Sequence, residues 1–361
     1  MKILHAIFTM KTGGSETMLI DILNRQCEKA TTGLLIVNDK VNEQLIQTID
    51  SKVNIFFSGR KESSKIQLFR VYRKIRKIVN DFQPDVIHCH DNKLYPFFFS
   101  WRQKTCLTVH GMNLSTLFVK RFGMLFSISE AVRKDVMQRT GKDSIIVYNG
   151  IVISHYQTRN EYAYNPNKEE FNIVQIGLLD FNIKGQQIAV EALKMILEKH
   201  PEVMMKLYFI GEGKDLQRLK SLVSTCNLNR NVVFYGLKHR TWIKNELKNF
   251  NILIQPSLNE GFGLTLIEGF AAGLPVIASN IGGPKEILGL LNAGLQVEAG
   301  NAEDLANKIY MVYESYISNI KSDTIENCNV KGALKDKNRL KIFDVASTSE
   351  KYLKNYEILL K

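Results

Sequence analysis

Absent from this sequence is any cysteine pattern that could build a framework. Its five cysteines (Cys27, Cys89, Cys106, Cys226 and Cys328) are scattered, odd in number and form no C-x-x-C pair. That excludes a disulfide scaffold and a zinc ribbon, and it is the usage of a reducing cytosol. Also missing is any apolar run near the ~18 residues that a transmembrane helix needs. The opening Met1-Lys2-Ile3-Leu4-His5-Ala6-Ile7-Phe8 is too short for a signal-peptide core and lacks a cleavage site. It reads as a first β-strand, and a cytoplasmic location is expected. No internal repeat or low-complexity tract occurs.

Acidic side chains are in short supply as well. Asp plus Glu number 36 against 48 for Lys plus Arg, a net charge of +12. An excess of that size points to an anionic partner: nucleic acid, a membrane face or phosphate-bearing ligands. Its distribution narrows the choice. Residues 1–165 carry 24 basic and 14 acidic side chains, whereas residues 166–361 carry 24 and 22. The first half is the basic one. It holds no recognised nucleic-acid-binding motif, so no nucleic-acid partner is expected.

What the chain does have is length and apolar material for two cores. It has 361 residues, 45% hydrophobic and 23% charged, and at roughly 150 residues per domain that suggests two domains. Short β-rich apolar runs alternate with amphipathic segments. Candidate strands in the first half are Ile3–Phe8, Leu34–Val37, Val53–Phe57, Val86–Cys89, Cys106–Val109, Leu125–Ile128 and Ile145–Tyr148. In the second half they are Asn172–Ile176, Lys206–Ile210, Val232–Tyr235, Ile252–Ile254, Val276–Ala278 and Gln296–Val297. Helical patterns such as Gln186–Leu197 and Leu216–Val223 fall between them. Strands alternating with helices form βαβ units, hence parallel sheets covered on both faces. The pattern breaks in the polar stretch from Ile151 to Phe171, and Pro166 disfavours helix before it. The boundary is therefore placed near residue 166, giving two α/β domains, 1–166 and 167–343. Two doubly wound domains would put a cleft between the carboxyl edges of their sheets.

The segment richest in chemistry runs from Glu260 to Ala278. Gly261 and Gly263 leave backbone N–H groups unobstructed at the start of a short helix that ends at Gly273. Such an N-terminus attracts phosphate through unpaired donors and the helix dipole. Glu260 lies just before the helix and Glu268 two turns into it, in the pattern E-x7-E. A carboxylate accepting from paired hydroxyls suits a sugar or a ribose. A Gly-rich turn alone would be a tight turn as often as a ligand site. Both glutamates and the strand–turn–helix context favour the ligand.

This segment resembles the signature of retaining glycosyltransferases of the GT-B fold, specifically the glycosyltransferase family 4 type. Other landmarks match in order: Gly13-Gly14-Ser15-Glu16, Val109-His110-Gly111, Ser127-Ile128-Ser129-Glu130-Ala131-Val132 and Val147-Tyr148-Asn149-Gly150-Ile151. Lys184-Gly185, Gly211-Glu212-Gly213 and Phe234-Tyr235-Gly236 follow in the second half. The resemblance spans essentially the whole chain. It implies two doubly wound Rossmann-like domains, the first facing the acceptor and the second holding a nucleotide diphosphate sugar, with a C-terminal helix, 344–361, crossing back to the first. It assigns the donor sugar's hydroxyls to Glu260, the ribose to Glu268, and sugar and diphosphate contacts to the amides of Phe262, Gly263, Leu264 and Thr265. Gly13, Gly14 and Gly211 join the donor-binding set, as does Gly261. Lys184 neutralises the leaving phosphate and His110 sits against the transferred sugar. No D-x-D triplet occurs, so departure without metal or other cofactor is expected.

One departure stands out. The family has Gly-Arg-Leu where this chain has Gly177-Leu178-Leu179, and losing a bidentate guanidinium at a phosphate is not neutral. Lys184 suffices, another basic residue substitutes, or activity is weak or absent. The expected activity is transfer of a hexose-type sugar to a hydroxyl of a glycan or lipid-linked acceptor. The alternatives are a non-catalytic GT-B protein that binds a nucleotide sugar or glycan within an assembly, and a GT-B sugar-nucleotide epimerase.

Other signals weigh less. His88 and His90 alternate on a strand and share a face, but no third ligand is placed nearby, which favours a structural role over a metal. Gly211-x-Gly213 lacks the third glycine of a dinucleotide fingerprint, where Leu216 stands. Tyr95–Trp101 is dense in aromatics and reads as buried helix face. Arg60, Lys61, Lys65, Arg70, Arg73, Lys74, Arg76 and Lys77 face a single acid, Glu62, along an amphipathic pattern. Peripheral contact with an anionic membrane and a solvated helix packed on the sheet are equally compatible with it.

Overall fold

Among the described residues, thirteen strands form two separate all-parallel sheets, one in each half of the chain. The structure is a computed structural model and describes residues 1–11, 13–61, 68–159, 162, 164–317 and 337–361. The first sheet contains β1 (Lys2–Ile7), β2 (Thr31–Asn38), β3 (Asn54–Arg60), β4 (Val86–Cys89), β5 (Thr105–Val109), β6 (Met124–Ser127) and β7 (Ile145–Ile146), in the order 3-2-1-4-5-6-7. The second contains β8 (Phe171–Ile176), β9 (Met205–Ile210), β10 (Val232–Gly236), β11 (Ile252–Gln255), β12 (Val276–Ser279) and β13 (Leu295–Val297), in the order 10-9-8-11-12-13. Each candidate strand overlaps one of these. Runs such as Leu34–Val37 are fully buried, as expected of strands covered by helices on both faces.

The chain divides into a first unit, residues 1–152 with 342–361, and a second, residues 153–341. The polar stretch after residue 152 thus lies with the second unit, where the Gln157 amide donates to the Lys244 carbonyl at 2.8 Å. The last helix, Val345–Leu359, is capped by Asp344, whose side chain accepts from the Ala346 amide. It packs on the first unit, with Tyr352 and Tyr356 fully buried there. Among the described residues no helix is long and apolar enough to cross a membrane.

In each sheet the strand order reverses direction once, between β1 and β4 and between β8 and β11. Loops leaving neighbouring strands at such a point diverge to opposite faces and leave a crevice at the carboxyl edge. Gly13 and Gly14 lie in the connection after β1, and Lys184 and Glu260 lie in the connections after β8 and β11.

Candidate functional site

In the second unit, the loops after β8 and β11 are tied together. The Ile183 carbonyl accepts from the amides of Leu258 and Asn259, at 2.9 and 3.2 Å. Lys184 ends the short turn Phe181–Lys184, which is capped by the Asp180 side chain. Its own carbonyl accepts from Gln175 Nε2 at 2.7 Å. So held, the Lys184 ammonium forms an ion pair with Glu260. Gln255 Nε2 donates to the same Glu260 oxygen at 2.7 Å, and Gln255 Oε1 accepts from the Thr265 hydroxyl at 2.7 Å. The pair is largely sheltered, with side-chain exposures of 18% and 15%. Two donors converging on one carboxylate oxygen fix its direction, and a sheltered pair is worth more than a surface one.

Helix Leu264–Ala271 begins beside this pair. Its cap, Gly263, has φ +105°, a left-handed conformation that favours glycine, and no side chain caps the first turn. First-turn amides have no preceding helical carbonyl, so they present donors outward. Leu266, Ile267, Gly269 and Phe270 are buried, while Leu264, Thr265 and Glu268, three and four apart, form the half-exposed face. Glu268 Oε1 accepts from the Tyr156 hydroxyl at 2.8 Å. Gly211, at the end of β9, has φ +139°, and a β-carbon there would lie 2.0 Å from the Gly177 carbonyl oxygen. That contact presses the two strand ends together under Lys184, whose side chain runs over Gly177.

Leu178, where the resemblance would have an arginine, is 53% exposed. Lys214 reaches the same loop through Asp180, at 2.9 Å, and Arg218 lies 4.8 Å from the Phe181 ring centroid.

In the first unit, Gly13 caps helix Gly14–Gln26 in extended conformation, so the glycine pair opens a helix at the carboxyl end of β1. His110 follows β5. Here one sequence reading is corrected: His88 and His90 do have a third imidazole beside them. Strand β1 pairs with β4 in a register that sets His5 against His88, and ligand atoms of His5, His88 and His90 lie within 4.8 Å of one another. Register across more than 80 residues is invisible locally, which is why the sequence hid it. His5 Nδ1 lies 3.0 Å from His90 Nε2, and His90 Nδ1 lies 3.1 Å from His110 Nε2. Burial lowers the pKa of His5 and of His110 to about 4 each. It pushes His88 and His90 well below the usual histidine value, each with like-charge repulsion from other imidazoles of the cluster. All four rings are neutral at pH 7.

The basic segment becomes helix Leu68–Phe82, whose Val71, Ile75 and Val79 are buried. The stripe therefore covers this unit's own sheet. Arg70, Arg73, Lys74, Arg76 and Lys77 are exposed, as are Lys61, Leu68 and Phe69, while Arg60 is half-buried. Lys65 lies outside the described residues. Of the aromatic run, Tyr95, Phe97 and Phe98 are buried, whereas Phe99 is exposed.

Gln255, Tyr156, His5 and Gln26 escaped the sequence reading. Gln255 and His5 carried a signal, a polar residue in an otherwise apolar strand. Tyr156 lies in the polar stretch that reads as a boundary between domains.

The glycosyltransferase family described as Glycosyltransferase Family 4 matches residues 12–155, and the family described as Glycosyl transferases group 1 matches residues 157–328. An uncharacterized glycosyltransferase of Methanocaldococcus jannaschii is 25% identical over 67% of this chain and 71% of its own. The phosphatidyl-myo-inositol mannosyltransferase of Mycobacterium leprae is 24% identical over 66% and 67%. Among solved structures, Anabaena HepE, crystallised with UDP and glucose, superposes with a TM-score of 0.79 at 20% identity over 99% of each chain.

Proposed function

We propose that this chain, which belongs to the glycosyltransferases of family 4 type and has their GT-B fold, moves a hexose-type sugar from a nucleotide diphosphate sugar to an acceptor hydroxyl with retained configuration. The observation that carries this reading is the Glu260 carboxylate, fixed by Lys184 and Gln255 at the mouth of an uncapped helix N-terminus. A donor brings two negative phosphates, which attract Lys184 and the first-turn amides, while Glu260 turns its lone pairs to sugar hydroxyls. As the glycosidic bond breaks, charge grows on the leaving phosphate, and a positioned ammonium stabilises that transition state more than the ground state. Amides from Phe262 to Thr265, with Gly261, line the diphosphate and sugar, and Glu268 holds the ribose. In the first unit, Gly13 and Gly14 are assigned to the diphosphate and His110 to the transferred sugar. A neutral imidazole presents a lone pair to positive character at the anomeric carbon, where an imidazolium would repel it. The residues described need no metal for these roles.

For the acceptor we propose a glycan or lipid-linked hydroxyl, in surface polysaccharide or glycolipid synthesis. The exposed basic face of helix Leu68–Phe82, with Phe69 protruding beside it, supports contact with an anionic membrane surface. A lipid acceptor in the name of the mycobacterial relative agrees with it. A panel of sugar nucleotides, with membrane extract as acceptor and mass-spectrometric detection of products, tests the reading. Transfer should be lost in Lys184→Ala and Glu260→Ala proteins that remain folded. Lys184→Ala turning over at the wild-type rate overturns the phosphate assignment. Leu178 favours one second reading, a non-catalytic donor-binding protein, and donor binding without turnover across the panel would establish it.

A further inference from the structure

Three imidazoles whose ligand atoms lie within 4.8 Å of one another suggest a metal at first sight, but their nitrogens are already engaged. His5 meets His90 and Gln26, His88 meets Tyr356 and Thr108, and His90 meets His5 and His110, at distances from 2.5 to 3.1 Å. The His88 and His90 rings stack with centroids 4.5 Å apart rather than converging edge-on. These nitrogens point at one another and at protein groups, and their geometry is that of a chain.

We infer that Gln26, acting through His5 and His90, sets the tautomer of His110 and so makes it a hydrogen-bond acceptor toward the donor sugar. Gln26 Oε1 can only accept, so His5 Nε2, at 2.8 Å, donates to it. A neutral ring carries one proton, so His5 Nδ1 is a lone pair and accepts from His90 Nε2. His90 Nδ1 is then bare and accepts from His110 Nε2. The last proton therefore sits on His110 Nε2, and Nδ1 is left as a lone pair. That Nδ1 is buried and has no hydrogen-bond partner among the described residues, as expected of an atom reserved for a ligand. Gln26, at the far end of helix Gly14–Gln26, is a positioning residue that touches no substrate.

The inference rests on the proposed role of His110 toward the sugar, and the test separates the two. Protein labelled with ¹⁵N-histidine and assigned by single substitutions reports, in long-range ¹H–¹⁵N spectra, which nitrogen of each ring is protonated. In the wild type at pH 7, His110 should carry its proton on Nε2 alone. In Gln26→Met, which keeps the volume but removes the acceptor, His110 should become a mixture of tautomers. Its kcat should fall in proportion to the lost Nε2–H population, with the donor KM within about twofold. A wild-type spectrum showing His110 protonated on Nδ1 overturns the inference without any variant. So does an unchanged His110 signal in folded Gln26→Met. If His110→Ala retains full turnover while the tautomers behave as described, the sugar assignment falls and the relay stands.

Discussion

Acid should destabilise the first unit well before ordinary carboxylates titrate. His5 is fully buried, and desolvation lowers its pKa from 6.5 to about 4. In the unfolded chain the same ring titrates near 6.5, so between the two values the unfolded state binds more protons than the native one. Stability then rises with pH: the contribution is complete above 6.5 and drains away as pH falls toward 4. From pH 7 to pH 5, linkage gives a loss of about 2 kcal/mol for His5 alone, since each unit of pKa shift is worth about 1.4 kcal/mol. His110, with the same value, adds a loss of the same sign, and His88 and His90 push in the same direction. Against a total stability of about 5–15 kcal/mol this is a large fraction. Urea unfolding of Trp242→Phe protein at pH 7, 6 and 5, followed by the fluorescence of Trp101 in the first unit, measures it. The midpoint should drop steadily. His5→Gln, less stable at pH 7, should show a flatter profile. Equal midpoints at pH 7 and pH 5 would refute the idea that these rings are buried neutral.

Three substitutions probe the second unit. Tyr156→Phe removes the hydroxyl that donates to Glu268 at 2.8 Å; a loss of about 1 kcal/mol raises the donor KM about fivefold and leaves kcat unchanged. Steady-state kinetics check this, and an unaltered KM removes Glu268 from the donor site. Gly211→Ala forces a β-carbon to 2.0 Å from the Gly177 carbonyl at φ +139°. A cost of at least about 3 kcal/mol should appear as a fall in Tm of about 6 °C or more in calorimetry. Leu178→Arg places a guanidinium on a half-exposed loop with no core cost, and should tighten donor binding about tenfold by titration calorimetry. No change there would mean that the diphosphate does not lie over this loop.

The fold was legible because parallel strands buried on both faces appear as unbroken apolar runs, and Val86–Cys89 or Ile252–Gln255 cannot be solvent-facing. Strand ends were less legible: Ile145–Ile146 is only two residues long, because the ladder with β6 stops there while the apolar run continues to Tyr148. The last helix shows the same limit. Its tyrosines Tyr352 and Tyr356 are core residues of a unit some 200 positions upstream, and nothing in their local spacing says which sheet they cover.

The site divides along the same line. Glu260, Gly263 and Glu268 lie within one turn and one helix, so their chemistry and spacing are both local and could be read directly. The groups that aim them are remote. Lys184 reaches Glu260 only because β8 and β11 are neighbours, and His5 faces His88 only because β1 pairs with β4 in that register. The charge distribution follows from this arrangement. In the proposed function a dianionic donor would be met by one lysine already paired with Glu260, together with helix amides, none of which adds net charge to the second half. The basic excess of the first half is then left for something other than the donor. Its exposed face on helix Leu68–Phe82 has no acid paired with it among the described residues, as an acceptor carried on an anionic surface would require.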